Sequence, residues 1–317
     1  MSNYLVTGGA GFIGAAIADR LLKAGNQVMV ADNLSTGKIE NIPSGCSFLK
    51  MDLSQEHEYV RLNDQHFDAV FHLAAQSSGE ASFDDPSYDM KSHVVSTFLL
   101  LEHCRKKNIK RFLYASSMSV YGDVAIQPVK SNEKHNPKTF YGVGKAAAEK
   151  YINFYSNYYG INATIFRMFS VYGPNQNLDN LMQGMISIYL AYLIKDMPII
   201  VKGSKERYRD FIYIEDVVTV WVTALNSEAT YGKTYNLGSG VPTTVEKLLQ
   251  VLLQSVNKTE HPINYLGGTP GDQFGMYADI QALQSELGWR PAWTLESGVP
   301  RMVEFFKNLN RPKSHER

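Results

Sequence analysis

A chain of 317 residues has room for about two domains at ~150 residues each. Its 44% apolar and 20% charged residues are an ordinary globular mixture, which excludes disordered, collagen-like and coiled-coil readings. The 31 Lys plus Arg and 31 Asp plus Glu leave no net charge, so bulk attraction to nucleic acid or an anionic membrane is not implied.

Taken in chain order, Tyr4–Thr7 reads as a strand. Ile13, Ile17 and Leu21 then recur every fourth residue, the face of a helix that Gly25 stops. Gln27–Asp32 is the next strand, and others are predicted at Ser47–Met51, Ala69–Ala75, Arg111–Ala115 and Ala163–Met168. The runs Val70–Ala75 and Phe112–Ala115 do not alternate in polarity, so both faces of these strands should be buried. Buried strands alternating with helices predict an α/β fold, a Rossmann-type doubly wound parallel sheet. Past about Ser170 the rhythm fades into segments rich in Gly, Asn and Pro at Gly173–Asn180 and Gly267–Asp272. Helices are predicted among them near Gln183–Ile194, Thr244–Val256 and Leu295–Phe306. The expected division is a dinucleotide-binding domain over 1–169, with 211–238 returning to it, and a smaller mixed α/β domain over 170–210 and 239–317. Residues 311–317 read as a tail.

Cys46 and Cys104 lack metal-ligand spacing and are too few for a disulfide framework, which suits a reducing compartment. The longest apolar runs, Ile186–Ile194 and Val217–Leu225, fall short of the ~18 residues of a spanning helix, and Met1–Tyr4 lacks a basic n-region. The expectation is a cytoplasmic protein with no nucleic-acid, membrane or metal partner.

Three motifs carry chemistry. Thr7-Gly-Gly-Ala-Gly-Phe-Ile-Gly14 lies where the first strand meets the first helix, so helix N–H groups and the positive dipole end can hold a pyrophosphate. Gly8 and Gly11 permit a tight turn and close phosphate approach, Phe12 and Ile13 open the helix, and Gly14 should allow helix–strand packing. Asp32, with Asn33 after it, ends the second strand 18 residues beyond Gly14, where a carboxylate accepts from a ribose 2′-hydroxyl and repels a 2′-phosphate. NAD is therefore expected over NADP. In Tyr141-Gly-Val-Gly-Lys145 the two polar side chains share one helical face about 6 Å apart along the axis, so a cation stands beside a tyrosine that could act as a base. Tyr114-Ala-Ser-Ser-Met-Ser-Val-Tyr-Gly122 leaves the carboxyl end of the fifth strand, the edge where open α/β sheets bind ligands.

In this order the motifs resemble the extended short-chain dehydrogenase/reductase family, in its nucleotide-sugar epimerase and dehydratase branch. Further matching segments are His72–Gln76, Arg167–Pro174, Arg209–Asp216, Asn236–Gly240, and Gly271-Asp272 before Leu287–Trp289. The resemblance implies that Ser117, Tyr141 and Lys145 are catalytic, that Asp52 and Leu53 flank an adenine, and that Leu73, Ala74, Ala75 and Gln76 line the nicotinamide side. It implies a nucleotide diphosphate sugar as substrate, held by Ser117, Ser119, Tyr141, Ser170, Arg209 and Asp272. Where 4,6-dehydratases of the branch carry Asp-Glu after the catalytic Ser/Thr, this chain has Met118-Ser119, and a thioether cannot transfer a proton. Ser170 and His93 each stand for an Asn, and Thr269 stands for an Arg that grips the diphosphate, which would leave Arg209 as the remaining diphosphate arginine. The implied activity is NAD-dependent epimerisation, most simply at C4 through a transient 4-keto sugar. A dehydrogenase or ketosugar reductase is the alternative, and a dehydratase or a non-catalytic NAD-binding regulator fits less well. An apolar helix through Val94, Val95, Phe98, Leu99, Leu100 and Leu101, with Phe154, Tyr155 and Tyr158 on the Tyr141–Tyr159 helix, predicts a homodimer.

Overall fold

Leu5, Val6, Val70, Phe71, Phe112 and Leu113 are consecutive pairs on three strands, and none exposes any surface. Alternate members point into two separate cores, Val6, Phe71 and Leu113 into one and Leu5, Val70 and Phe112 into the other, so the sheet is covered on both faces. The computed structural model describes residues 1–182, 184–268 and 273–309.

The first part contains β1 (Asn3–Thr7), α1 (Phe12–Lys23), β2 (Gln27–Asp32), β3 (Ser47–Lys50) and β4 (Ala69–His72). There follow α2 (Pro86–Met90), a π-helical turn over Lys91–Val95, α3 (Ser96–Lys106), β5 (Arg111–Ser117), α4 (Phe140–Tyr159) and β6 (Asn162–Met168). The second part contains β7 (Ser170–Tyr172), α5 (Met185–Ile194), β8 (Ile199–Lys202), β9 (Tyr208–Tyr213), α6 (Ile214–Leu225), β10 (Lys233–Leu237), β11 (Pro242–Thr244) and α7 (Val245–Val256). It ends with β12 (Ile263–Leu266), β13 (Gly275–Met276), α8 (Gln281–Leu287) and α9 (Leu295–Leu309).

Seven strands form one sheet in the order β10-β6-β5-β4-β1-β2-β3, with every pairing parallel. Helices α1 and α6 cover one face, and α3 and α4 the other. The winding direction reverses between β1 and β4, which opens a crevice at their carboxyl ends. A smaller sheet centres on β9, flanked by β7 and β13 in parallel and β11 antiparallel, and β8 pairs separately with β12.

Two expectations are corrected. The segment that returns to the large sheet starts at Ile214, because Phe211–Tyr213 complete β9 in the small sheet and only α6 and β10 rejoin the first body. Leu100, Leu101 and Tyr155 do not belong to an outward apolar face: the two leucines are fully buried, and the Tyr155 hydroxyl donates to Glu102 at 2.6 Å. Phe98, Tyr151, Phe154 and Tyr158 do remain exposed, with Phe154 stacked on Tyr158 at 4.3 Å between centroids. Among the described residues no helix is long and apolar enough to cross a membrane. The expectations placed on Gln183, Thr269, Gly271, Asp272 and 311–317 lie outside the described residues.

Candidate active site

One cavity of about 600 Å³ runs from the glycine-rich turn to the small sheet. Its wall gathers segments far apart in sequence: Gly8, Gly11, Phe12, Ile13 and Gly14; Asp32 and Asn33; Asp52 and Leu53; and Leu73, Ala74, Ala75 and Gln76. Ser117, Ser119, Tyr141, Lys145, Ser170 and Arg209 line the same space.

The turn after β1 leaves no room for side chains. Gly8 has a φ of +71°, and a Cβ there would stand 2.6 Å from the Ala74 nitrogen, so the β1 and β4 loops are in backbone contact. At Gly14 the tightest constraint is the turn itself: its Cβ would lie 2.3 Å from the Gly8 carbonyl oxygen. The Asp32 carboxylate accepts from the Ala10 and Leu34 backbone N–H groups at 3.0 and 2.8 Å, which fixes it at the cavity wall. Burial raises its pKa, and the two N–H bonds pull it back down. Two accepted bonds leave lone pairs for ribose hydroxyls, and the bare glycine turn at a helix N-terminus suits a pyrophosphate, so the donor set fits NAD.

Helix α4 starts at Thr139, whose hydroxyl accepts from Gly142 N–H at 3.0 Å. The cap delivers Tyr141 and Lys145 to the carboxyl end of β5. Lys145 Nζ donates to the Ala115 carbonyl at 2.6 Å and lies 6.0 Å from the Tyr141 ring centroid and 4.9 Å from that of Tyr114. Burial lowers the Lys145 ammonium to about 7, against the opposing pull of Asp89 and Glu149. The Tyr141 phenol is pushed above its ordinary 10.0 by burial, while a side-chain hydrogen bond with Ser117 draws it down. Ser117 Oγ is also 3.2 Å from Ser119 Oγ and accepts from Ser119 N–H. Beneath them Glu149 accepts from Ser116 at 2.5 Å and from two Arg167 nitrogens at 2.9 and 2.7 Å, which ties α4 to β5 and β6. His72 is not at the reacting end: its ring is bracketed by the Thr7 and Thr97 hydroxyls at 2.8 and 3.0 Å.

On the substrate side, sequence reasoning missed Arg207. It lies two residues before Arg209, the spacing of one strand face, and both line the cavity. Arg209 is therefore not the only cation in that wall, as Thr269 had implied. Burial first, then the neighbouring Arg207 charge, brings the Arg209 guanidinium down to about 10. Asp210, the residue after Arg209, faces the other way, accepting from Ser239 N–H and Oγ, both at 2.6 Å, Gly240 N–H at 2.9 Å and Ala278 N–H at 3.0 Å. The Arg209–Asp216 and Asn236–Gly240 motifs thus form one joint that sets the arginines' position.

A parallel dinucleotide fold whose crevice holds a Ser, a Tyr and a Lys defines a short-chain dehydrogenase-like enzyme class. Residues 4–238 match the model of the NAD dependent epimerase/dehydratase family, and the chain belongs to that family. It is 35% identical over 308 residues to a putative UDP-glucose 4-epimerase of Methanocaldococcus jannaschii, covering 97% of this chain and 99% of that one. Among solved structures it is similar to the UDP-glucose 4-epimerase of Thermotoga maritima with UDP-glucose, with a TM-score of 0.93, 32% identity, and coverage of 97% and 99% of the two chains. The Thermus thermophilus UDP-glucose 4-epimerase in complex with NAD gives a TM-score of 0.90 at 31% identity, covering 96% and 99%.

Proposed function

We propose that the protein is an NAD-dependent nucleotide-sugar epimerase acting at C4, with UDP-glucose and its C4 epimer as the first substrates to test. The observation that carries the reading is the single cavity that joins the glycine turn and Asp32, the Ser117–Tyr141–Lys145 cluster, and the Arg207–Arg209 pair. Inverting a secondary alcohol needs a proton acceptor beside a hydride acceptor, and a grip on the rest of the molecule that does not release it between the two half-reactions.

Asp32 holds the adenosine ribose through its free lone pairs and disfavours a 2′-phosphate. Lys145 stands beside the Tyr141 ring as a cation, the charge that stabilises a phenolate. Tyr141 takes the proton from the C4 hydroxyl, and Ser117 donates a hydrogen bond to the same oxygen as it becomes a carbonyl. NAD, held by the glycine turn, Asp32 and the Leu73–Gln76 wall, would supply a reversible hydride acceptor for C4, so that the alcohol can pass through a 4-keto sugar. Tyr141 then gives the proton back, so no atom or electron is gained or lost. Arg207 and Arg209 hold the diphosphate by charge-assisted bonds while the sugar turns. Met118, beside Ser117, offers no acid for elimination, which separates this reading from a dehydratase.

We also place the protein as a two-fold homodimer through the exposed aromatic strip of Phe98, Tyr151, Phe154 and Tyr158 on α3 and α4, supported by exposure of these large rings on adjacent helices. Sedimentation at micromolar concentration should give twice the chain mass, and a monomer would contradict it. For the activity, NAD-loaded protein is incubated with UDP-, GDP-, CDP- and dTDP-hexoses and followed by NMR. Conversion of one sugar to its C4 epimer without accumulation of NADH is expected. Stoichiometric NADH, or no conversion of any of them, would defeat the proposal.

A further inference from the structure

Behind Tyr141 lies a pair of ionisable groups that the reaction above leaves unused. Asp89 and His93 are each 1% exposed, and neither lines the cavity that Tyr141 and Lys145 face. His93 Nε2 stands 3.4 Å from Asp89 Oδ1, a long ion-pair contact, and among the described residues their four side-chain polar atoms make no regular hydrogen bond. The His93 ring meets the Tyr141 ring edge to face, with centroids 5.2 Å apart and planes at 78°. Its other neighbour on α4 is Gly144, where even a Cβ would come within 2.9 Å of the His93 side chain. The glycine therefore lets α4 close onto the imidazole. A buried carboxylate with no hydrogen bond is held in a folded protein only by a strong electrostatic partner.

The titratable groups around the pair are few. On its own helix there is Asp89; from β4 comes His72; from α4 come Tyr141 and Lys145, with Tyr114 of β5 and Glu149 of α4 one step further off. Burial lowers His93 to about 4, so its ring is neutral at working pH and has one N–H to give to Asp89. Asp89 is the largest single influence holding the proton on Lys145, and it also raises Tyr141.

We propose that Asp89 and His93 are positioning residues for the Tyr141–Lys145 couple: the carboxylate orients the imidazole against the back of the Tyr141 ring and supplies the buried negative charge that balances the Lys145 ammonium. His93 in turn faces that carboxylate at 3.4 Å and holds it toward the couple. The inference rests on the assignment of Tyr141 and Lys145 as the catalytic couple.

The test is the pH profile of turnover for the full chain with NAD bound. In Asp89→Asn the tyrosinate forms more readily and the ammonium is lost more readily, so both limbs should move to lower pH by about one unit. His93→Leu removes the imidazole that sets the carboxylate's position, so Asp89 bears less on Tyr141 and Lys145 and both limbs should move the same way. His93→Gln restores an N–H toward Asp89 and should bring them back. A merely structural role would depress turnover equally at every pH. Limbs of Asp89→Asn and His93→Leu that coincide with the parent's overturn the proposal, and if Asp89→Asn does not fold, the two His93 variants decide alone. Tyr141→Phe, run alongside, separates the two claims: near-parent turnover there defeats the catalytic assignment itself, whereas lost turnover there with unmoved limbs defeats only the role of the pair.

Discussion

Replacing Gly14 by Ala should damage both the fold and the cofactor site, whereas the same change at Gly11 should damage only the second. Within a helix a Gly→Ala change is ordinarily stabilising by about 0.5–1 kcal/mol. At Gly14 the new methyl carbon would sit 2.3 Å from the Gly8 carbonyl oxygen and 2.9 Å from the Gly9 Cα, both backbone atoms. That oxygen cannot swing aside freely, because it accepts from Gly11 N–H at 3.1 Å and Gly8 is itself pressed against Ala74. Overpacking of this kind costs about 1–3 kcal/mol, which outweighs the helix gain and leaves a net loss of about 1–2 kcal/mol, or a few degrees in Tm. Among the described residues the only atom a Gly11 Cβ would meet within 4 Å is the Gly8 oxygen at 3.2 Å, a contact that relaxes within tenths of an ångström. Since Gly11 lines the cavity, its methyl would instead occupy space needed by a phosphate. The assay pairs thermal melting of the NAD-free protein with calorimetric NAD titration. Gly14→Ala should lower both, and Gly11→Ala should weaken NAD by about tenfold or more at an unchanged Tm. Two variants that bind NAD like the parent would refute the assignment of the turn as the pyrophosphate site.

Tyr141→Phe keeps the ring against His93 and removes the proton acceptor, so turnover should fall by about 10²–10⁴ with NAD still bound; near-parent turnover would place the base elsewhere. Titrated side by side, NAD should bind far more tightly than NADP and Asp32→Asn should narrow the gap, while equal affinities in the parent would remove Asp32 from the ribose. Arg207→Ala and Arg209→Ala should each raise the KM for the nucleotide sugar by about 10–100-fold, the range of one charge-assisted contact, with NAD affinity unchanged. Because the two cations share one ligand, the double variant should lose more than either alone, and a KM unmoved by both changes would put the diphosphate elsewhere.

The first half of the fold is legible because strands buried on both faces leave unbroken apolar runs such as Phe112-Leu-Tyr-Ala115. The glycine turn and Asp32 are legible for a related reason, since sterics and charge there tolerate few residues. The second half is not, because β7, β11 and β13 have three, three and two residues, too short for any period to show. Their partner β9 collects them from segments up to about 100 residues apart by pairings that no local pattern encodes. Arg207 is hard to single out from sequence because Lys205-Glu206-Arg207 has the composition of a charged surface turn; the one signal is its two-residue spacing from Arg209. The Asp89–His93 contact has the four-residue spacing of a helical pair, but the π-helical turn at Lys91–Val95 changes which face turns inward, and sequence does not show that turn.

The most direct measurement uses a nucleotide sugar carrying deuterium at C4, converted by NAD-loaded protein in ordinary water and read by NMR and mass spectrometry. If hydride leaves C4 and returns to it within a closed site, the epimer retains the deuterium, turnover shows a primary isotope effect or none depending on which step limits, and no NADH accumulates. A C4 epimer that carries hydrogen from solvent in place of the deuterium would contradict the account at its centre.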